Sequence, residues 1–126
     1  MQTPYEILGE RGIRDVVAEF YRLMDSEPAY EEIRAMHTPD LGPVSEQLSL
    51  YLISWMGGPP VYAERNGSMC ITAAHRGLGL APRHSQQWLD CFAQALQPRD
   101  DAELLQKMLL PALRRITDML ERSAAE

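Results

Sequence analysis

The chain has 126 residues, 45% of them apolar and 24% charged, with a formal net charge of −6. That length and balance fit one ordinary globular domain able to bury a core, and they exclude a disordered chain. An acidic balance without a basic stripe argues against nucleic acid and against anionic membrane surfaces, and no run approaches the roughly 20 apolar residues of a membrane span.

In chain order, Thr3-Pro4-Tyr5-Glu6-Ile7-Leu8-Gly9 predicts one or two helical turns, with proline at the first position and glycine as a stop. Arg11-Gly12 then reads as a turn. From Ile13, the positions Val16, Val17, Phe20, Tyr21 and Met24 recur at helix spacing and form a broad buried stripe. Tyr21 lies on that stripe, so its phenol needs a partner. A short helix through Tyr30, Ile33 and Met36 follows, and then the breaker-rich corner His37-Thr38-Pro39-Asp40-Leu41-Gly42-Pro43. Val44 to Met56 is the next helix, with Val44, Leu48, Tyr51, Leu52 and Trp55 on one side, stopped by Gly57-Gly58-Pro59-Pro60. Val61 to Ser68 reads as a loop with a turn at Asn66-Gly67, because its flanks lack the alternation of a hairpin. Pro82 opens a helix whose apolar face is Trp88, Leu89, Phe92 and Leu96, and Gln97-Pro98 closes it. The last helix is expected from about Asp100 to Arg122, kinked or split at Pro111. No strand pattern occurs, and the reading is all-α with five main helices.

The N-terminus, Met-Gln-Thr-Pro-Tyr-Glu, has no basic region or apolar run, so secretion is not indicated. Cys70 and Cys91 have neither zinc nor disulfide spacing and are expected to be small buried hydrophobes in a reducing cytoplasm. Tyr21, His37, Tyr51, His75 and Trp88 are polar or aromatic groups on otherwise apolar faces. His75 sits in the small-residue segment Met69 to Leu80, and an imidazole on an apolar wall is what a haem iron needs on one side. A lone histidine on such a face is more often a satisfied core residue, and the segment alone leaves both readings open. No nucleophile elbow or phosphate-cradling glycine loop is present. His75 and His84 lack a further ligand at zinc spacing.

Several stretches carry a resemblance to one family. They are Phe20-Tyr21, Ile33-Arg34-Ala35-Met36-His37, Trp55-Met56-Gly57-Gly58-Pro59-Pro60-Val61-Tyr62, Glu64-Arg65-Asn66-Gly67, and His75 placed 13 residues before Trp88-Leu89. In these the chain resembles the group II truncated haemoglobins over essentially its whole length. The resemblance implies a two-over-two helical sandwich around haem b, with His75 as the proximal ligand of the iron. It implies a polar distal side of Tyr21, His37 and Trp88, with Val44 and Leu48 as apolar residues over the iron. Relatives usually carry an arginine before the proximal histidine and a proline-phenylalanine after it, where this chain has Ala74 and Arg76-Gly77-Leu78; a histidine common in the preceding loop is Ser68 here. Tyr62, Arg65 and Arg76 are therefore the expected propionate partners, and Leu78 and Leu80 the wall under the haem. The ligands implied are dioxygen, carbon monoxide, nitric oxide or peroxide. Two functions follow: holding dioxygen, or redox chemistry such as nitric oxide dioxygenation or peroxide-linked oxidation. The second needs an external reductase, since the chain has no flavin or nicotinamide site. Monomer and homodimer both remain open.

Overall fold

Thr3 starts the first helix through a reciprocal pair of hydrogen bonds: its N–H donates to Glu6 Oε1 at 2.9 Å, and its Oγ1 accepts from the Glu6 N–H at 3.1 Å. The computed structural model describes residues 2–125. Among them lie α1 (Pro4–Ser26), a 3-10 turn (Pro28–Tyr30), α2 (Glu31–Ala35), α3 (Gly42–Trp55), α4 (Val61–Asn66), α5 (Thr72–His75), α6 (Pro82–Leu96) and α7 (Ala102–Ala125), and no strand. Long helices α1 and α3 pack together, α6 packs on α7, and α1 crosses α6 to join the two pairs. The expected all-α, two-over-two architecture is what the structure shows.

The stripe read from the sequence of α1 is buried in full, from Ile13 through Met24. The start of that helix differs from expectation. Gly9 leaves helical geometry (φ 69°), but the helix resumes at once, so Arg11-Gly12 is not a turn. Gly12 is buried inside the helix, where a side chain would meet Leu8 at 3.3 Å. Close packing, not turn formation, explains this glycine.

Helix α3 has two faces. Ser49, Leu52, Ile53 and Met56 are buried, whereas Val44, Leu48, Tyr51 and Trp55 are half-buried. The residues from Val61 to Asn66 form α4 and not the expected loop. Ser54 Oγ accepts the Tyr62 N–H at 3.1 Å, Asn66 Nδ2 donates to Gln47 Oε1 at 3.0 Å, and Gly67 ends the turn at φ 88°. Six residues are too few to show a period, and side chains of α3 supply what periodicity cannot. Helix α7 runs undivided through Pro111. A proline inside a helix costs about 3 kcal/mol, but Leu105, Leu109, Leu113 and Leu120 are buried on both sides of it, each contributing about 1.5–3 kcal/mol. Cys91 is buried as expected, whereas Cys70 is exposed, because the segment before α5 lies at the surface.

The Gly57-Gly58 stop is also a packing point for the N-terminus. The Tyr5 N–H donates to the Met56 carbonyl at 3.1 Å. A Cβ on Gly58 would lie 2.6 Å from the Tyr5 ring and 2.7 Å from the Ile53 carbonyl oxygen. Gly58→Ala is expected to destabilise the fold by about 1–3 kcal/mol, lowering the thermal midpoint by several degrees. An unchanged midpoint in a circular-dichroism melt would refute that contact.

Candidate functional site

A cavity of about 400 Å³ opens between the two helix pairs, a size ordinary for a small-molecule or cofactor site. Its wall draws on each of the seven helices or the segments joining them. Tyr21 comes from α1, Val44 and Leu48 from α3, Tyr62 from α4, His75 from the end of α5 and Trp88 from α6. His37 enters from the corner after α2, and Leu78 and Leu80 from the connection between α5 and α6. Nine residues singled out from the sequence thus meet on one cavity. Arg65 and Arg76 are not in its wall. Arg65 instead lies 3.7 Å from Glu46, a carboxylate that Arg14 also holds at 2.8 Å.

The local hydrogen bonds decide what each polar group offers. His75 Nδ1 is 2.8 Å from the Ile71 carbonyl, which only accepts, so the ring proton sits on Nδ1. Nε2 then carries a free lone pair, the state in which imidazole ligates a metal. His37 repeats the device four residues after Ile33, with Nδ1–H donating to that carbonyl at 2.7 Å. Its neutral ring therefore presents Nε2 as an acceptor. Burial pushes the His37 pKa down, opposed by the Ile33 carbonyl, and the nearby charge of Arg34 lowers it further. Tyr21 is only 6% exposed, and burial raises its pKa, so its phenol stays a donor. The Tyr21 and His37 rings meet edge-on at 5.9 Å. Trp88, a donor only, is fixed by a parallel stack on Phe92 at 5.5 Å.

Sequence reasoning missed part of the wall. Leu113, Ile116, Thr117 and Leu120 line it from α7, at the i, i+3, i+4, i+7 spacing of one helix face. His84 and Ser85 line it from α6, one turn before Trp88, and that offset was the available signal. Tyr51, noted from sequence as an aromatic on an apolar face but given no role at a site, lines the cavity and packs edge-on against Tyr62 at 5.3 Å. The donor set suits a haem. His75 and His37 each present a free Nε2 to the cavity, the remaining wall is largely apolar, and the buried Tyr21 and half-buried Trp88 can donate hydrogen bonds.

Comparison with known proteins gives a concordant picture. The family described as bacterial-like globin matches residues 3–121. The chain is similar to the group 2 truncated haemoglobin YjbI of Bacillus subtilis (strain 168), at 28% identity over 94 residues, which is 75% of this chain and 69% of that one. Among solved structures it is similar to the group II 2-on-2 haemoglobin of the plant pathogen Agrobacterium tumefaciens, with a TM-score of 0.85 and 30% identity, covering 96% of this chain and 95% of that one. It is similar also to the cold-adapted truncated haemoglobin of the Antarctic marine bacterium Pseudoalteromonas haloplanktis TAC125, with a TM-score of 0.87 and 25% identity over 94% of this chain and 97% of that one.

The lowered pKa of His37 has a measurable consequence. The unfolded imidazole takes a proton near the ordinary value of 6.5, while the folded one resists it. The unfolded state then binds more protons, and stability falls as pH drops below about 6.5 and through the lowered folded value. His37→Gln removes that term. Its unfolding midpoint should change less between about pH 7 and pH 5 than that of the parent; an identical pH dependence would exclude a buried neutral His37.

Proposed function

The chain belongs to the bacterial-like globin family as a group II truncated haemoglobin, and from that premise we propose that it holds haem b on His75 and binds dioxygen in the cavity. The observation that carries this reading is the His75 ring, anchored through Nδ1–H to Ile71 at 2.8 Å with Nε2 left to ligate. Haem, when bound, supplies an iron that coordinates small ligands such as dioxygen, carbon monoxide or nitric oxide.

The chain's own residues then do three things. His75 fixes the iron's position. Val44, Leu48, Leu78 and Leu80 exclude water with apolar side chains, which strengthens every polar contact inside. Tyr21 O–H and Trp88 N–H donate hydrogen bonds to a polarised ligand, each worth roughly 1.5–3 kcal/mol when the acceptor carries charge. His37 contributes an acceptor, suited to hold the Tyr21 hydroxyl or a water near the ligand. Tyr62, which lines the wall, is the propionate partner in this reading, whereas Arg65 and Arg76 lie outside the wall and Arg65 faces Glu46 at 3.7 Å. The match over residues 3–121 supports a single domain. No helix among the described residues is long and apolar enough to cross a membrane, and a cytoplasmic location is part of the proposal.

Two measurements test this. His75→Ala is expected to lose most of its Soret absorbance, or to regain a haem spectrum with added imidazole; an unchanged spectrum would remove His75 as ligand. Trp88→Phe keeps an aromatic ring but loses the N–H, and dioxygen dissociation should quicken by roughly 10-fold per 1.4 kcal/mol of hydrogen bonding lost. Carbon monoxide, a poorer acceptor, should respond less. Unaltered release of dioxygen would place the stabilising donor elsewhere.

A further inference from the structure

Beside the cavity, one carboxylate collects three donors from one end of one helix. Glu32, on α2, accepts from Arg83 Nε at 2.9 Å and His84 Nε2 at 3.2 Å on the same oxygen, and from Gln87 Nε2 at 3.2 Å on the other. All three donors lie in the first two turns of α6. His84 is the buried member, its side chain 8% exposed, and it lines the cavity as well. Its Nδ1 accepts the Ala81 N–H at 3.0 Å and so caps the start of α6. A nitrogen that accepts carries no proton, which puts the proton of the neutral ring on Nε2, facing Glu32. One uncharged imidazole thereby serves the helix cap and the link to α2 together.

Gln87 shows that the carboxylate dictates the arrangement. Its Nε2 donates to Glu32, while its Oε1 is buried with no hydrogen-bond partner among the described residues. An orphaned buried acceptor is costly. Turning the amide over would set that oxygen against the carboxylate, so Glu32 holds Gln87 in an orientation its own hydrogen bonding does not favour.

The network also sits at the right place in the chain. Glu32 directly precedes Ile33, whose carbonyl holds the His37 ring at 2.7 Å. Gln87 directly precedes Trp88. A single carboxylate therefore ties the backbone that carries His37 to the backbone that carries Trp88. Exposed ion pairs such as Glu32–Arg83 add little to folding stability. What the cluster fixes is a spacing.

We propose that His84 and Glu32 are positioning residues that set the span between His37 and Trp88, and with it the direction from which the cavity's polar groups meet a ligand. The proposal rests on the distal roles given to His37 and Trp88 above. Glu32→Ala cuts the link to α2 and leaves the α6 cap. His84→Asn keeps an acceptor for the Ala81 N–H but does not reach Glu32. Both are compared with Trp88→Phe and with the conservative Glu32→Gln in the haem-loaded protein. The readouts are the iron–carbon monoxide stretching band by resonance Raman, dioxygen dissociation by stopped flow, and the thermal midpoint. Hydrogen exchange of residues 31–37 and 82–88 is followed in the haem-free protein. Glu32→Ala and His84→Asn are expected to broaden or split the stretching band, to speed dioxygen release about 3-fold, and to raise exchange in both segments with little change in midpoint. Glu32→Gln, which keeps an acceptor oxygen for Arg83 and His84, should recover most of this. A parent-like band and release rate in Glu32→Ala and His84→Asn, with Trp88→Phe altered, would overturn the proposal and leave the distal reading intact. Parent-like behaviour of Trp88→Phe as well would overturn both. Changes that track a fall in thermal midpoint and are not recovered by Glu32→Gln would show general loosening, and would also overturn it.

Discussion

Phe20, fully buried where α1 crosses α6, is the contact on which the rest of the arrangement depends. Its ring meets Tyr21 at 4.9 Å, Trp88 at 5.0 Å and Phe92 at 5.9 Å, all edge-on. Such pairs contribute about 0.5–1.5 kcal/mol each beyond their burial. Tyr21 and Trp88, two donor-bearing residues of the cavity wall, therefore lean on one common ring. Apolar packing aims them and leaves their polar ends free. The backbone of Phe20 is held too: its carbonyl accepts the Cys91 thiol at 3.3 Å, and burial pushes that thiol up to about 12, so it stays protonated and continues to donate.

The two histidines of the wall use one local device for different ends. Each Nδ1–H is committed to the carbonyl four residues earlier, Ile33 for His37 and Ile71 for His75. Each Nε2 is left as a lone pair. On His75 that lone pair suits a metal; on His37 it adds an acceptor to a cavity whose other strong groups are donors. The polarity of the site is thus set by backbone carbonyls as much as by side-chain identity.

Much of the fold was legible because it rests on long periodic segments. The buried stripe of α1 and the apolar face of α6 follow from spacing alone. The cavity residues Tyr21, His37, His75 and Trp88 were legible as polar groups on apolar faces, and the resemblance to a known family gave them a common purpose. What escaped was whatever tertiary contact decides. Helix α4 is six residues held by Ser54 and Gln47 from outside its own span. Gly12 looks like a turn residue until Leu8 is packed against it. The ring orientation of His37 depends on a carbonyl whose direction no side-chain pattern encodes. The contribution of α7 to the cavity was hidden because its leucines serve the core and the wall at once.

The stability of this molecule is unevenly spread, and His75 lies in the weakest part. Neither α4 nor α5 contains a buried residue, and α5 is a single turn of four residues, packed against α7 and reaching it through Thr72 and Met119. An isolated helix needs about 12–15 residues to persist in water, so this turn has little order of its own to draw on. Anything that bonds to His75 Nε2 lends its binding free energy to the folded state, about 2.7 kcal/mol at a free concentration 100 times its dissociation constant. Local opening around residues 67–81 and occupancy of the cavity are then one linked equilibrium, while the four long helices carry a cooperativity of their own.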